Sequence, residues 1–371
     1  MLEEETRQKG DSELGQQNRV GIRMAAAPDR ACGGLGSRRD CAILAVSLSW
    51  RLVTHEKMCY ISLLAYLVGV LHGKERWWIE LMGSQLNVSV KSSSESAKPF
   101  LKWVGGKQQL LSQFEAHFPG EFNRYFEPFV GGGAVFFHLW NTGRLSNQVF
   151  LFDNNEELIN AYLIVRDKVD ELIDLLADHQ KNHNRSYYYR VRNLDRRSAK
   201  RQLSDVERAA RAIYLNRTCY NGLYRVNSRG QFNVPMGSYK NPQILYIDVL
   251  KAANQALQKA QIEVRDFRTI VELGQPGDFF YFDPPYVPVS KTASFTSYTA
   301  NDFGNDDQRE LAKVFTQLSE KECLCMLSNS YTPFVLELYQ EFEIRTVQAK
   351  RAVNSDANGR GSIAEVVVVN Y

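Results

Sequence analysis

The sequence predicts an α/β fold, a sheet with helices on both faces, carrying an inserted helical subdomain. Three observations predict it. From Lys98 onward, short apolar strand patterns alternate with amphipathic helical patterns. Two strands run directly into turn-forming loops, E-P-F-V-G-G-G-A at Glu127–Ala134 and Y-F-D-P-P-Y at Tyr281–Tyr286. Between about residues 165 and 255 the alternation stops, and arginine-rich helical patterning replaces it. The chain has 371 residues, 44% hydrophobic and 23% charged. That composition excludes a disordered chain, a collagen-like fibre and a small disulfide scaffold.

Taken in order, Phe100–Gly106 is an apolar and glycine stretch, and Gln108–Phe118 reads as an amphipathic helix. Arg124–Phe129 is a short strand entering a glycine loop that opens a helix. Val149–Asp153 is a second strand, followed by a long helical pattern from Glu156 through His179. A helix-rich basic region covers Tyr187–Arg217, and a loop rich in Gly, Asn and Pro covers Asn221–Pro242. Ile262–Asp266, Phe279–Phe282, Leu324–Leu327 and Ile363–Val369 read as strands, with a helix over Leu311–Leu318. Residues 98–165 and 255–371 are thus expected to build one domain, with 166–254 inserted into it.

The first 97 residues read differently. Their apolar runs, Cys41–Trp50 and Cys59–Leu71, are each shorter than the ~20 residues of a membrane-spanning helix. Charged residues separate them, and the Glu-rich start lacks the basic region of a signal peptide. Three readings stay open for this stretch: a disordered or weakly helical extension, a membrane-surface segment, or translated sequence ahead of an internal start at Met82. No membrane association is expected of the rest.

Charge is uninformative as a total, +3, but not in its distribution. Arg185–Lys240 holds 13 Lys and Arg against 3 Asp and Glu, which leaves the remainder at −7. A basic block inside an acidic remainder points to a polyanion-binding face; a solvated arginine-rich helix is the plainer alternative. The six cysteines are scattered without metal-ligand spacing, which fits a reducing, cytosolic compartment. Cys323 and Cys325 read as core. His179 and His183 lie four apart and read as surface residues rather than metal ligands, and no metal is expected.

The glycine triplet after Glu127 allows a tight turn and a close backbone approach to a ligand at a helix N-terminus. It is neither the dinucleotide fingerprint nor a phosphate loop. Asp153 closes the next strand, where an acid is placed to accept from ribose hydroxyls. Asp153 or Asn154 would equally cap the following helix. In F-L-K-W-V-G-G-K, Trp103 offers an aromatic face and Lys107 a cation for a carboxylate. The most informative segment is D-P-P-Y. Pro284 and Pro285 restrict the backbone, so Asp283 and the Pro284 carbonyl form two fixed acceptors beside the Tyr286 ring. Such a pair suits an exocyclic amine on a flat heterocycle, drawing its lone pair out of the ring and toward an electrophile. A plain proline turn capping a strand is the alternative.

With these segments in view, residues 98–371 resemble the Dam-type DNA adenine methyltransferases, most closely the GATC modification enzymes of restriction systems. The resemblance rests on F-L-K-W-V-G-G-K, Y-F-E-P-F-V-G-G-G-A, F-D-N-N-E-E-L-I-N, N-G-L-Y-R-V-N-S-R-G-Q-F-N-V-P, Y-F-D-P-P-Y and M-L-S-N-S, in that order. The first 97 residues have no counterpart in the pattern and are expected to be poorly ordered or no part of the enzyme. The resemblance implies a Rossmann-like methyltransferase sheet, with 166–254 as the target-recognition subdomain. It implies S-adenosylmethionine as cofactor and adenine in double-stranded DNA as acceptor. It also implies a cytoplasmic, nucleoid-associated protein with a cognate restriction endonuclease as system partner. Cofactor positions fall on Trp103, Lys107, Glu127, Gly131, Gly133, Asp153, Asp266 and Asp283. Catalytic positions fall on Asp283, Pro284, Pro285 and Tyr286, with Tyr286 stacking on a target base flipped from the duplex. DNA contacts fall on Lys102, Tyr220, Asn221, Leu223, Arg225 and Pro235. Arg225 is the candidate for guanine, Asn221 for adenine, Leu223 for a thymine methyl, and Tyr220 for a wedge. Leu223 equally reads as core, and Arg225 as a phosphate or structural contact. Two competing functions stand beside this one: an amino-methyltransferase acting on cytosine or RNA, and a nucleic-acid-binding module without turnover.

Overall fold

The structure, a computed structural model, describes residues 96–196, 203–288, 303–350 and 362–371. The expectations for residues 1–95 lie outside the described residues. At the start of the described chain, Ala97 is buried and exchanges two backbone bonds with the Asn141 side chain, at 3.0 and 2.7 Å.

Among the described residues seven strands form one sheet: β1 (Tyr125–Glu127), β2 (Val149–Asp153), β3 (Ala260–Val264), β4 (Phe279–Phe282), β5 (Leu324–Ser330), β6 (Glu343–Lys350) and β7 (Ser362–Val369). Their spatial order is β3-β2-β1-β4-β5-β7-β6. Pairings from β3 through β5 are parallel, and β7 runs antiparallel to both β5 and β6. The central strands are continuous apolar runs because helices cover both faces. On one face Phe126 lies flat between Phe150 and Phe280, with ring centroids 4.3 and 4.4 Å away. On the other, Tyr125, Leu151, Phe279 and Tyr281 join the second core cluster. Burying one such ring contributes roughly 1.5–3 kcal/mol, so the parallel centre of the sheet is its most firmly held part.

The helices are α1 (Leu111–Phe114), α2 (Ala134–Asn141), α3 (Glu156–Asp167), α4 (Val169–Lys181), α5 (Arg185–Arg192), α6 (Asp205–Thr218), α7 (Ile247–Leu257), α8 (Asn305–Glu320) and α9 (Pro333–Leu338). Two expected helices differ. The long pattern from Glu156 is two helices, broken at Lys168. There the Asn254 amide donates to the carbonyls of Val165 and Arg166 at 2.9 and 2.7 Å, taking acceptors the helix needs to continue. The segment 108–118 is a short α1 flanked by two 3-10 turns. Its Gln113 side chain pairs with the backbone of Gln348, covering part of edge strand β6. The expected domain boundaries at 165/166 and 254/255 fall inside α3 and α7. Cys323 and Cys325 are core, as expected. His179 and His183, expected on the surface, instead bond the hydroxyls of Tyr187 and Tyr214 at 2.8 and 2.9 Å. Burial pushes the His179 imidazole down to about 4. Among the described residues no group of His, Cys, Asp and Glu could hold a metal, and no helix is long and apolar enough to cross a membrane.

Candidate active site

The strand order reverses between β1 and β4, and a crevice opens at their carboxyl ends, where ligands of open α/β sheets bind. A cavity of about 730 Å³ fills it. Every residue expected to hold cofactor or to act in catalysis lines this cavity: Trp103, Lys107, Glu127, Gly131, Gly133, Asp153, Asp266, and Asp283 through Tyr286.

The glycine loop after β1 shows why glycine is needed. Gly131 and Gly133 have φ of 45° and 67°, a region costly for residues with a Cβ. A Cβ on Gly131 would stand 2.9 Å from the Trp103 indole, so the ring lies directly against the loop. Asp153, at the end of β2, receives the backbone N–H of Gly131 at 3.2 Å and of Asn155 at 3.0 Å. Burial nonetheless raises its carboxyl to about 6. The cap of α3 is Asn155, which accepts from the N–H of Glu157 and Leu158, so neither Asp153 nor Asn154 does that work. Asp266 caps the 3-10 turn after β3 and pairs with Arg268. Glu127 lines the cavity, but its carboxyl is engaged inside the fold by the Tyr125 hydroxyl and by the Phe136 N–H at the start of α2. Burial pushes it up to about 8.

At the end of β4, Asp283 Oδ1 accepts from Lys107 Nζ at 2.6 Å and from Ser328 Oγ at 3.2 Å, so among the described residues both bonds fall on the same oxygen. Burial raises the Asp283 carboxyl, and the Lys107 ammonium opposes the rise. The same ammonium lies 4.6 Å from the centre of the Tyr286 ring. Tyr286 donates to Glu365 Oε2 at 2.8 Å. The turn itself is fixed by buried amides: Gln308 Nε2 donates to the Pro285 carbonyl at 2.8 Å, and Asn329 Nδ2 donates to Gln308 Oε1 at 3.0 Å. Asn329 Oδ1 then accepts from Val287 N, and Ser330 Oγ donates to the Val287 carbonyl. The sequence reading assigned no role to Gln308, Ser328, Asn329 or Glu365. The signal for the middle pair was the polar S-N-S at the end of an apolar strand; Gln308 and Glu365 carry no comparable signal.

The residues expected to meet DNA do not line the cavity and form a second group beside it. Tyr220 is 52% exposed. Asn221 is exposed in the left-handed region, at φ 54°, which asparagine tolerates better than most residues. Tyr220 N donates to the Pro235 carbonyl at 2.9 Å, which fixes these two side by side. The Asn216 amide clips Lys102 through both its backbone groups at 2.7 Å. Leu223 is half-buried against the core, and Arg225 is exposed with its Nε donating to Asn233.

The basic window divides in two. Arg192, Arg196, Arg211 and Arg217 donate to backbone carbonyls, and Arg208 bonds Glu157. Arg185, Arg190, Arg225, Arg229 and Lys240 are exposed. Arg197, Lys200 and Arg201 lie outside the described residues.

Comparison with known proteins gives the family. Residues 103–353 match the family model of D12 class N6 adenine-specific DNA methyltransferases. The chain is 44% identical over 276 residues to the type II methyltransferase M1.LlaDCHI of Lactococcus lactis subsp. cremoris, covering 74% of this chain and 95% of that protein. It is 44% identical over 290 residues to the type II methyltransferase M.MjaIII of Methanocaldococcus jannaschii, covering 74% and 99%. It is 34% identical over 275 residues to the DNA adenine methylase of Escherichia coli, covering 73% and 95%. Matched by this family model over more than half of its length and by these enzymes at 34–44% identity, the chain belongs to the D12 class of N6 adenine-specific DNA methyltransferases.

Proposed function

We propose that this enzyme transfers the methyl group of S-adenosylmethionine to the N6 amine of adenine within GATC in duplex DNA, using the cavity at the β1/β4 crevice. The observation that carries the reading is the D-P-P-Y turn, bonded at Asp283, Pro285 and Val287, at the mouth of a cavity whose other wall is the glycine loop.

The cavity fits the cofactor. S-adenosylmethionine combines a nucleoside with a zwitterionic amino acid, and the cavity wall offers a matching set. Asp153 and Asp266 supply acceptors for the nucleoside, the Trp103 indole and the glycine loop supply a close apolar seat, and Lys107 supplies a cation for the carboxylate. Bound there, the cofactor supplies an electrophilic methyl on sulfur. Asp283 Oδ2 and the Pro284 carbonyl accept the two hydrogens of the adenine amine. That favours a tetrahedral nitrogen with its lone pair directed at the electrophile. Tyr286 holds the base by stacking, its ring fixed through its hydroxyl by Glu365. As the nitrogen–methyl bond forms, the methyl–sulfur bond would break to leave S-adenosylhomocysteine, and the surplus amine proton would pass to solvent. The residues act through positioning and fixed dipoles, without a covalent enzyme intermediate.

Duplex DNA is held by the exposed cations of the basic region, with residues 166–254 as the recognition subdomain. Tyr220 is the wedge, Lys102, Asn221, Leu223 and Pro235 flank it, and Arg225 is the guanine reader. The GATC assignment rests on the Dam-like N-G-L-Y-R loop, and the DNA adenine methylases among the relatives support adenine as the base. Because type II methyltransferases also stand among the relatives, a partner endonuclease of the same specificity is part of the proposal. The test is Asp283→Ala, with methyl transfer and duplex affinity measured on the same preparation. Transfer falls at least ~100-fold while duplex affinity stays within a few-fold, since the loss is confined to positioning the amine. Retained turnover would remove Asp283 from the mechanism.

A further inference from the structure

The recognition loop reaches the cofactor cavity through Tyr224, a residue of the N-G-L-Y-R segment that has no assigned role and does not itself line the cavity. Three consecutive residues of the loop differ in direction. Leu223 is half-buried and Arg225 is exposed, but Tyr224 between them stacks on Trp103, with ring centroids 5.7 Å apart and planes at 28°. The indole it stacks on also lies against Gly131 and Gly132, where an added Cβ would meet it at 2.9 and 3.1 Å. The Tyr224 hydroxyl lies close enough to the Asn155 side chain for the two to interact. Asn155 lines the cavity, and its backbone N–H donates to Asp153 Oδ1 at 3.0 Å. One side chain of the DNA-facing loop therefore supports both sides of the cofactor seat, the aromatic wall and the acid.

The loop and this wall are also tied through their backbones. The Asn216 side chain donates to the carbonyls of Lys102 and Gly222, at 2.7 and 3.0 Å. A Cβ on Gly222 would stand 2.7 Å from the Lys102 side chain. A displacement of the loop by DNA is thus transmitted at close range to Trp103 and Asn155, with no long pathway needed.

We propose that Tyr224 is a positioning residue that couples target recognition to cofactor binding. The inference rests on the functional reading above. A loop held in register by DNA fixes Trp103 and Asn155 in the cofactor-binding geometry, and an occupied cofactor seat fixes Tyr224 and the loop in the DNA-binding one. Linkage requires the effect to be reciprocal: duplex raises cofactor affinity by the same factor by which cofactor raises duplex affinity.

The experiment uses the full chain, S-adenosylhomocysteine as an unreactive stand-in for the cofactor, and a GATC duplex. Titration calorimetry measures the affinity for each, alone and in the presence of the other. The wild-type coupling factor is expected in the range of roughly 5- to 150-fold. In Tyr224→Leu it falls to within about twofold of one. A residue that merely packs the loop would weaken each separate affinity and leave the factor unchanged, and that result overturns the proposal. Tyr224→Phe keeps the ring and its stack on Trp103 and removes only the hydroxyl that faces Asn155, so the factor falls by about 2- to 10-fold, on the order of one polar contact. It carries the test alone where the leucine variant fails to fold, and an unchanged factor overturns the proposal there as well. Wild-type protein that binds both molecules with a factor of one refutes the coupling and leaves the function standing. Wild-type protein that binds neither refutes the function itself.

Discussion

Glu127 and Asp283 are two buried carboxyls on neighbouring strands that the protein treats differently. Asp283 has an ammonium at 2.6 Å and a hydroxyl at 3.2 Å, both on one oxygen, and the proposed mechanism gives its second oxygen to the substrate amine. Glu127 has only a phenol and a backbone N–H, and burial holds it mainly protonated near neutrality, at about 8. An ordinary glutamate titrates near 4.3 in an unfolded chain. Between about pH 4 and pH 8 the folded protein therefore keeps a proton that the unfolded chain releases. This contribution to stability is fully present below pH 4 and is lost as pH rises through 8. Glu127→Gln replaces the protonated carboxyl with a neutral group of the same shape. Its melting temperature should match wild type below about pH 4 and exceed it by a growing margin as pH rises toward 9. Parallel curves across that range would show that Glu127 is already ionised in the fold.

At the scale of elements, the D-P-P-Y turn is held by amides that arrive from α8 and β5. Gln308→Leu leaves the Pro285 carbonyl and the Asn329 amide without their partners, at a cost of about 1–3 kcal/mol in stability. It also frees the turn, so kcat should fall ~10- to 100-fold with duplex affinity nearly unchanged. A normal kcat in the folded variant would show that the prolines alone fix the turn. What the sequence revealed follows the same division between local and distant causes. Strands β2 and β4 were legible to the residue, because apolar runs ending in Asp153 and Asp283 are signalled by neighbours in the chain. The break at Lys168 was not, because it is made by Asn254, which lies far along the sequence. Helix α7 went unassigned although Val249, Leu250, Ala253, Ala256 and Leu257 share a buried face, and β6 escaped because an edge strand keeps polar residues on both sides. The cavity residues were readable as motifs, whereas Gln308 and Glu365 meet D-P-P-Y only after the chain has folded.

For the whole molecule, the basic window combines two kinds of arginine. Arg211 is buried, pairs with the nearly buried Asp195 at 2.8 Å and donates to two backbone carbonyls. Arg211→Ala should destabilise by about 1–3 kcal/mol, since it leaves Asp195 with the longer Arg196 pair at 3.8 Å and the Phe232 N–H at 2.8 Å, and denaturant unfolding measures it. Arg225 is exposed, so Arg225→Ala should leave stability unchanged and relax site preference by roughly 1–3 kcal/mol at one base pair. Uniformly weaker binding to every duplex would instead make Arg225 a phosphate contact.

The central claim joins chemistry, base and site, and one measurement reaches all three. Labelled methyl transfer from S-adenosylmethionine is followed on two duplexes that are identical except that GATC in one is GTAC in the other. The account predicts label on the GATC duplex alone, recovered as N6-methyladenine. Equal label on both would contradict the site assignment, and label recovered on cytosine, or on neither duplex with the protein folded, would contradict the proposed chemistry.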